Sequence, residues 1–110
     1  MEARKFDNDK NRLDLLPPHA LEEIAKGFTF GAKKYDAFNY VSGNGLAYSR
    51  IYGALLRHLN AWYKGEELDP ESGLTHLSHA GCCLMMLMET IQAHPGNDDR
   101  PTHYKQKKNE

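Results

Sequence analysis

The segment between His76 and His94 constrains the fold of this chain more than any other feature. Apolar residues recur along it at helical spacing, and between Ala80 and Met88 they surround almost the whole predicted helix. Such a helix is stable in water only at the centre of a fold, or where a second subunit covers one of its faces. Pro95-Gly96 ends the pattern, because these two residues stop a helix. The other elements are therefore expected to pack around this segment.

Two other segments show helical periodicity. The first extends from about Pro18 to Phe30, with a proline in the first turn, where its missing N–H removes no hydrogen bond. Gly31 is a candidate break, after which the chain adds at most one more turn. The second helix extends from about Ala47 to Lys64, with an apolar stripe along one face. No segment of the sequence alternates as a strand does, so the predicted fold class is all-α.

The connection between the second and third helices is short, from Gly65 to Ser72. Asp69 offers an N-cap acceptor and Pro70 suits a first helical position, so the third helix is expected to begin there or at Ser72. A short connection makes the two helices antiparallel neighbours. It also brings His58 and His76 toward the same end of the bundle.

The predicted architecture is a small antiparallel helical bundle of three main helices, completed by dimerisation. With 110 residues the chain is one domain, and at this size self-association can supply part of the stability. We predict an irregular arm over residues 1–16, a helical catalytic domain over residues 17–95 and a polar, disordered tail over residues 96–110.

Composition argues against several classes of partner. The formal net charge is -1, with 14 basic and 15 acidic residues, so the chain lacks the basic excess of a general nucleic-acid binder. The longest apolar run, near Cys82 to Met88, is far shorter than the roughly 20 residues that span a bilayer. Cys82 and Cys83 are adjacent, so they cannot form a disulfide that links distant parts of the fold. Residues 1–12 do not have the pattern of a secretory signal peptide, so a cytoplasmic location is expected.

Residues 57–79 are dense in side chains that bind metals or transfer protons. His76 and His79 lie three residues apart on one helical face, and the antiparallel neighbour adds His58. The connection contributes four carboxylates: Glu66, Glu67, Asp69 and Glu71. Carboxylates suit Mg²⁺ or Mn²⁺, while two or three neutral imidazoles move the preference toward Mn²⁺, Fe²⁺ or Zn²⁺. The alternative for each residue is structural, with Asp69 and Ser72 as caps and the histidines as polar-tipped core residues.

Four motifs follow one another between residues 5 and 90. They are Lys5-Phe6-Asp7-x-x-Lys10-x-Arg12-x-Asp14-Leu15-Leu16-Pro17-Pro18, Phe30-Gly31-Ala32-Lys33-Lys34-Tyr35 with Asn39, Leu56-Arg57-His58-Leu59-x-Ala61-Trp62, and Gly65-Glu66-Glu67-Leu68-Asp69-Pro70-Glu71-Ser72-Gly73-Leu74-x-His76-Leu77-x-His79-Ala80. Their order resembles the phage-associated dATP/dGTP diphosphohydrolase domain, which is related to the MazG-like all-α nucleotide pyrophosphohydrolases.

The resemblance implies an all-α homo-oligomeric enzyme, a dimer or tetramer, in the cytosol of a bacterium or a phage-infected host. It would cleave a purine deoxynucleoside triphosphate, dATP or dGTP, to the monophosphate and pyrophosphate with the help of Mg²⁺ or Mn²⁺. No nucleic acid or membrane partner is implied. Another divalent transition metal would also suit the histidines.

Combining the resemblance with the residue pattern gives three groups of candidate site residues. The metal ligands are Glu66, Asp69, Glu71, His76 and His79. The catalytic residues are Glu66, Asp69, Glu71 and His58. The substrate-binding residues are Lys10, Arg12, Lys34, Tyr35, Asn39 and Arg57, of which the cationic members would contact phosphates and Tyr35 and Asn39 the base.

Two other functions stay open at this point. One is a different metal-dependent phosphohydrolase, such as a nucleotidase that acts on monophosphates, which a histidine-rich site would suit. The other is a non-catalytic helical module that binds a nucleotide or a protein partner and whose histidines are structural. The released product separates the nucleotidase from the diphosphohydrolase, because a nucleotidase releases orthophosphate and a diphosphohydrolase releases pyrophosphate.

Overall fold

The computed structural model describes Arg4, Phe6 and residues 8–102. Three helices form its frame: α1 (Pro18–Lys34), α2 (Tyr48–Tyr63) and α3 (His76–Ala93). Short 3-10 turns stand at Leu13–Leu15, Asn39–Val41 and Pro95–Asn97. The described residues form no β-strand, so the predicted all-α class is confirmed.

Helix α3 is central, as its apolar circumference predicted. It packs against both α1 and α2, and the buried hydrophobic side chains among the described residues come from α2 and α3. They are Tyr48, Ile51, Ala80, Cys82 and Cys83. Over the described ranges, no helix is both long enough and apolar enough to cross a bilayer.

Helices α1 and α3 approach each other closely because each contributes a glycine to the contact. A Cβ on Gly27 would lie 2.4 Å from the Cys82 Sγ, and one on Gly81 would lie 2.6 Å from Ile24 Cγ1. The Cys82 thiol donates to the Ile24 carbonyl at 3.0 Å. Burial raises the pKa of the Cys82 thiol to about 12, so this cysteine stays protonated and acts as a packing residue.

The structure decides one helix boundary that the sequence left open and corrects another. Helix α1 continues without a break through Gly31 to Lys34, so the additional turn after Gly31 belongs to α1. Helix α3 begins at His76, later than Pro70 or Ser72, because Thr75 is its N-cap and accepts a hydrogen bond from the Ser78 backbone N–H at 3.1 Å.

The connection from Lys64 to Thr75 folds as a loop stabilised by its own backbone bonds. The Asp69 N–H donates to the Leu74 carbonyl at 2.7 Å, and the Gly73 N–H donates back to the Asp69 carbonyl at 2.8 Å. Gly73 has a φ of 74°, which a side chain would strain. A single antiparallel bridge between Leu68 and Thr75 closes the loop directly before α3. Asp69 therefore begins a turn inside the loop, not the helix.

The start of α2 is tied to the chain that follows α3. Tyr48 donates its hydroxyl to the His94 carbonyl at 3.1 Å, and the His94 ring donates from Nε2 to the Val41 carbonyl at 2.8 Å. Asp99 accepts from the Ser49 backbone N–H at 3.0 Å and from its hydroxyl. Residues 1–3, 5 and 7 of the predicted arm and 103–110 of the predicted tail lie outside the described residues.

The glycine contact between α1 and α3 generates a stability prediction. Gly27→Ala should lower the free energy of unfolding by about 1–3 kcal/mol, because the new methyl meets Cys82 Sγ at 2.4 Å and the Ser78 carbonyl oxygen at 3.3 Å. Gly31→Ala is the matched control on the same helix, where a Cβ meets nothing within 4 Å. It should raise the stability by about 0.5–1 kcal/mol. Urea unfolding measures both, and equal effects would contradict the close approach.

Candidate functional site

Three elements deliver histidines and carboxylates to one end of the helix pair. His58 lies near the end of α2, and His76 and His79 lie in the first turn of α3. The loop between these helices supplies the carboxylates. The site exists because α2 and α3 are antiparallel and their connected ends meet, as the sequence predicted for His58 and His76.

A direct contact between two imidazoles lies at the centre of the cluster. His58 Nδ1 and His76 Nδ1 are 2.9 Å apart, and His76 is buried. The other ring nitrogen of His76, Nε2, is 2.7 Å from Glu66 Oε1. With His76 neutral, its Nε2 carries the proton because a carboxylate only accepts, so a lone pair remains on Nδ1 and points toward His58. Glu66 thereby selects the tautomer of His76.

A second chain of hydrogen bonds joins Asp69 to His79 through Ser72. The Ser72 backbone N–H and hydroxyl both lie 2.9 Å from Asp69 Oδ2, and the hydroxyl oxygen is 2.7 Å from His79 Nε2. The direct distance from His79 Nε2 to Asp69 Oδ2 is 3.8 Å, too long for a hydrogen bond. Ser72 is therefore the link that fixes the Asp69 carboxylate and the His79 ring relative to each other.

Ring packing holds the histidines against the rest of the fold. His58 and His79 are stacked, with centroids 4.8 Å apart and planes at 15°. The Phe30 ring of α1 meets His79 edge-on, with centroids 5.8 Å apart and planes at 82°. The three helices therefore all contribute side chains to the cluster, and α1 closes it on the His79 side.

One group of donors in the cluster is arranged as metal ligands are. His58, Asp69 and His76 each offer a donor atom, and these atoms all lie within 4.8 Å of one another. Two imidazole nitrogens and one carboxylate oxygen form a mixed donor set that first-row divalent metals accept. The contact of His76 with Glu66 adds the carboxylate partner that a ligating histidine usually has behind it.

The protonation states of the cluster suit cation binding. Burial lowers the pKa of His58, and the nearby His79 and His76 lower it further. Burial also lowers the pKa of His79, against the opposing effect of Asp69. For Asp69, burial alone would raise the pKa, but the two hydrogen bonds from Ser72 and the neighbouring histidines outweigh it and leave the pKa below its usual value. At neutral pH, neutral rings therefore face an ionised carboxylate.

Comparison with known proteins places the chain in a family. Residues 1–100 match the family described as dATP/dGTP diphosphohydrolase, N-terminal. The chain belongs to this family. It is 35% identical over 100 residues, or 91% of its length, to the dATP/dGTP diphosphohydrolase of Salmonella phage PMBT28. The match covers 33% of that relative, so the chain spans about a third of the phage protein's length. No solved structure matches the chain.

A predicted substrate-binding residue and a predicted metal ligand meet at the edge of the cluster. Lys34, at the end of α1, forms an ion pair with Glu71, which precedes Ser72 in the loop. The hydrogen bond that Lys34 donates to the Glu71 carboxylate raises the pKa of Lys34. Tyr35 follows at the end of the helix, and the Lys34 ammonium lies 5.1 Å from the centroid of its ring. Glu71 is therefore oriented toward α1, outside the group formed by His58, Asp69 and His76.

The other predicted substrate-binding residues do not all have the same surroundings. Arg57 precedes His58 on α2, and its charge is among the effects that lower the pKa of His58. Its side chain extends along α2, where a Cβ on Gly53 would lie 3.3 Å from its Nη1. Arg12 is paired with Asp14 two residues away, at 2.8 Å, on the exposed surface. Lys10 is exposed, and Asn39 begins the 3-10 turn after α1. These four residues stay predictions that rest on the family resemblance.

Sequence reasoning did not assign Ser72 and Phe30 to the site. Ser72 was weighed only as a helix cap, although Asp followed three residues later by Ser is a pattern typical of a side-chain-bonded turn. The pattern Asp69-x-x-Ser72 could thus have indicated the turn, but its contact with His79 depends on the loop geometry. Phe30 enters the sequence analysis only as the end of the first helix and the first residue of the Phe30-to-Tyr35 motif, and no sequence signal identifies the ring it touches.

The histidine pKa values predict how stability depends on pH. His58 and His79 have folded pKa values below the ordinary 6.5, so the unfolded chain binds more protons as the pH falls below 6.5. Stability should be constant from pH 8 to 7, decline as the pH falls through 6.5, and level off for these groups below their folded pKa values. Urea midpoints measured in metal-free buffer check this.

Single variants separate the contribution of His58 and His79 to the pH dependence of stability from that of other titratable groups. His58→Asn or His79→Asn should flatten the slope of stability against pH below 6.5, whatever each does to stability at pH 8. His19→Asn, an exposed histidine of α1, is the control and should keep the wild-type slope. A slope that none of the variants changes would contradict burial of neutral rings in the cluster.

Proposed function

We propose that the chain hydrolyses a purine deoxynucleoside triphosphate, dATP or dGTP, to the monophosphate and pyrophosphate, and that it needs a divalent cation. The substrate class is supported by membership of the family and by the name of the phage relative. The observation that carries the chemistry is the convergence of His58, Asp69 and His76. A structural histidine pair would not need a carboxylate at the same point.

The donor set favours Mn²⁺ over Mg²⁺. Mg²⁺ prefers oxygen ligands and keeps most of its waters, whereas two imidazoles suit softer ions. Mn²⁺ accepts both the Asp69 carboxylate and the two nitrogens, and Fe²⁺ or Zn²⁺ would also fit them. Of the other predicted ligands, Glu66 bonds to His76 Nε2, the ring nitrogen that does not face His58. His79 bonds to the Ser72 hydroxyl and lies next to the three donor residues.

A bound divalent cation would neutralise charge on the phosphate oxygens and lower the pKa of a water molecule next to the α-phosphorus. The protein residues hold this arrangement in place. Glu66 keeps the proton on His76 Nε2, so that Nδ1 offers its lone pair. Ser72 fixes the Asp69 carboxylate through two hydrogen bonds. Positioning and charge, not covalent catalysis, are thus what these residues contribute.

Lys34 is the phosphate-binding residue that the geometry supports best. Its ammonium lies at the edge of the cluster against Glu71, and its charge is among the effects that lower the pKa of His79, after burial and the charge of His76. A triphosphate would compete with Glu71 for this lysine. Glu71 would then be released to accept the proton of the attacking water, which completes the hydrolysis to monophosphate and pyrophosphate.

The activity is tested by incubating the protein with dGTP or dATP and Mn²⁺ and analysing the products. We expect pyrophosphate and the monophosphate in equal amounts, with no turnover in the presence of a chelator. His76→Asn should lower kcat/KM by at least about 100-fold, because it removes both a donor and the partner of Glu66. His19→Asn should leave it unchanged.

The products also decide between this proposal and its alternatives. Orthophosphate released from a monophosphate would instead support a nucleotidase. Nucleotide binding without any product would support a non-catalytic module, and so would full activity of His76→Asn combined with a lower melting temperature.

The supporting role of Glu66 can be measured without turnover. Glu66→Gln should weaken Mn²⁺ binding by about 10–100-fold, because a neutral amide no longer fixes the His76 tautomer or increases the basicity of its ring. Titration calorimetry or electron paramagnetic resonance reports the Mn²⁺ affinity. Glu67→Gln, at the next and also exposed position, is the control and should bind as the wild type does. Equal affinities of both variants would contradict the role of Glu66.

A further inference from the structure

An open groove lies between α1 and the loop that precedes α3. Its volume is about 550 Å³, and small-molecule sites have volumes of roughly 300–1,000 Å³. Helix α1 forms one wall of the groove, and Ser72 and Leu74 of the loop form the other. The donor residues His58, Asp69 and His76 do not line it. The groove is therefore a binding surface beside the histidine cluster and distinct from it.

A single side of α1 faces the groove. Glu22, Lys26, Thr29 and Lys33 line it, and they recur at intervals of four, three and four residues, which places them in one row along a helix. The row from Glu22 to Lys33 is roughly 16 Å long at the rise of an α-helix. It is therefore comparable in length to an extended nucleotide.

The middle of the groove is apolar. Ala25 and Phe30 contribute to it from α1, and Leu74 contributes from the loop. The Thr29 hydroxyl donates to the Ala25 carbonyl at 2.8 Å, so it is bonded within its own helix. The flat rings of a nucleobase pack well against aliphatic and aromatic side chains, whereas a phosphate needs charged groups or hydrogen-bond donors. The middle of the groove therefore suits a base better than a phosphate.

The groove is continuous with the histidine cluster. Ser72 lines the groove, and its hydroxyl oxygen is 2.9 Å from Asp69 Oδ2 and 2.7 Å from His79 Nε2. Phe30 also lines the groove, and its ring meets the ring of His79. A ligand in the groove would thus lie directly beside the residues that are proposed to bind the cation.

The charges along the groove differ between its two ends. Lys33 lies at the end next to Lys34, whose ammonium stands at the edge of the cluster. Lys26 lies further along and is bonded to Glu23 at 2.9 Å, so part of its charge is neutralised. Glu22 lies at the far end, where a carboxylate repels a phosphate but accepts hydrogen bonds from the amino group of a purine. These charges favour a nucleotide whose phosphates point toward Lys33.

We propose that this groove, the nucleoside groove, binds the deoxynucleoside of the substrate, with its base between Leu74 and Ala25 and its phosphates toward Lys33. The inference rests on the proposed function, because it takes a purine deoxynucleoside triphosphate as the substrate. Tyr35 and Asn39, which the family resemblance implies for the base, do not line the groove. The nucleoside groove therefore gives the base a different location from these two residues.

The variant Ala25→Leu tests where the base lies. Ala25 is an exposed residue of α1, so a longer side chain should fill the nucleoside groove without disturbing the fold. The affinity for the monophosphate that the wild type binds more tightly, dGMP or dAMP, should fall at least about 10-fold, because the added atoms take the space of the base. Ala32→Leu is the same change at an exposed position of α1 outside the groove, and it should bind as the wild type does.

Titration calorimetry in Mn²⁺ buffer measures these affinities. Equal affinities of the two variants would overturn the proposal, and so would a wild type that binds neither monophosphate. The Mn²⁺ affinity of Ala25→Leu should equal that of the wild type, which shows that the histidine cluster is intact in this variant.

The variant Lys33→Gln tests the direction of the nucleotide. It should lower the affinity for the same monophosphate by about 10-fold, because it removes a charge-assisted hydrogen bond to the phosphate. The affinity for the corresponding deoxynucleoside, which has no phosphate, should stay unchanged. Ala25→Leu should weaken both ligands, since both carry the base. An equal loss of affinity for both ligands in Lys33→Gln would contradict the position of the phosphates.

Two other arrangements predict different results. If the groove held the triphosphate tail, Ala25→Leu would weaken the binding of pyrophosphate and leave the monophosphate unaffected. If the base lay on Tyr35, Tyr35→Ala would weaken the monophosphate and Ala25→Leu would not. Either result would overturn the proposal.

Turnover separates this inference from the proposed function. Groove-dependent binding of the monophosphate, without release of pyrophosphate from dGTP or dATP, would contradict the hydrolysis but support the nucleoside groove. Hydrolysis whose KM is the same in Ala25→Leu and in the wild type would support the proposed function but overturn the nucleoside groove.

Discussion

The contact between His58 and His76 is the interaction on which the site depends. It joins the end of α2 to the start of α3 through two imidazole nitrogens 2.9 Å apart, and one of these rings is buried. A buried ring nitrogen without a partner would be costly, and here each nitrogen of His76 has one. Glu66 lies on the far side of the ring, so the loop between the helices must fold back to bring its carboxylate there. The loop conformation and the start of α3 are therefore both tied to this pair.

Helix α1 reaches the cluster only because it approaches α3 at the distance that glycine allows. Gly27 and Gly81 remove the side chains that would separate the two helices, and Ile24 and Cys82 fill the contact. Seven residues along from Gly27, Lys34 meets Glu71, and Phe30 meets His79 between them. A polar site at one end of the bundle thus relies on apolar packing near its middle.

Sequence periodicity predicted the three helices and the meeting of His58 with His76, because both follow from local spacing and a short antiparallel connection. The start of α3 was not predictable in the same way, since Asp69 and Thr75 are both good caps and the choice between them is made by the bonds of the loop. The cationic residues show the same limit. Arg12 pairs with Asp14 nearby, whereas Lys34 pairs with Glu71, 37 residues further along the chain, and composition does not distinguish the two cases.

The first turn of α3 carries both a histidine of the polar cluster and an exposed leucine, and the helical period explains how. On α3, His76 and Leu77 are adjacent in sequence but about 100° apart around the axis. The same turn therefore places a histidine in the cluster and a leucine on the surface. A shift of the residues by one position along the helix would rotate the histidines by about 100° and take them out of their contacts with α2. The N-cap at Thr75 and the bridge to Leu68 therefore fix more than the length of α3, because they set which side of the helix each residue faces.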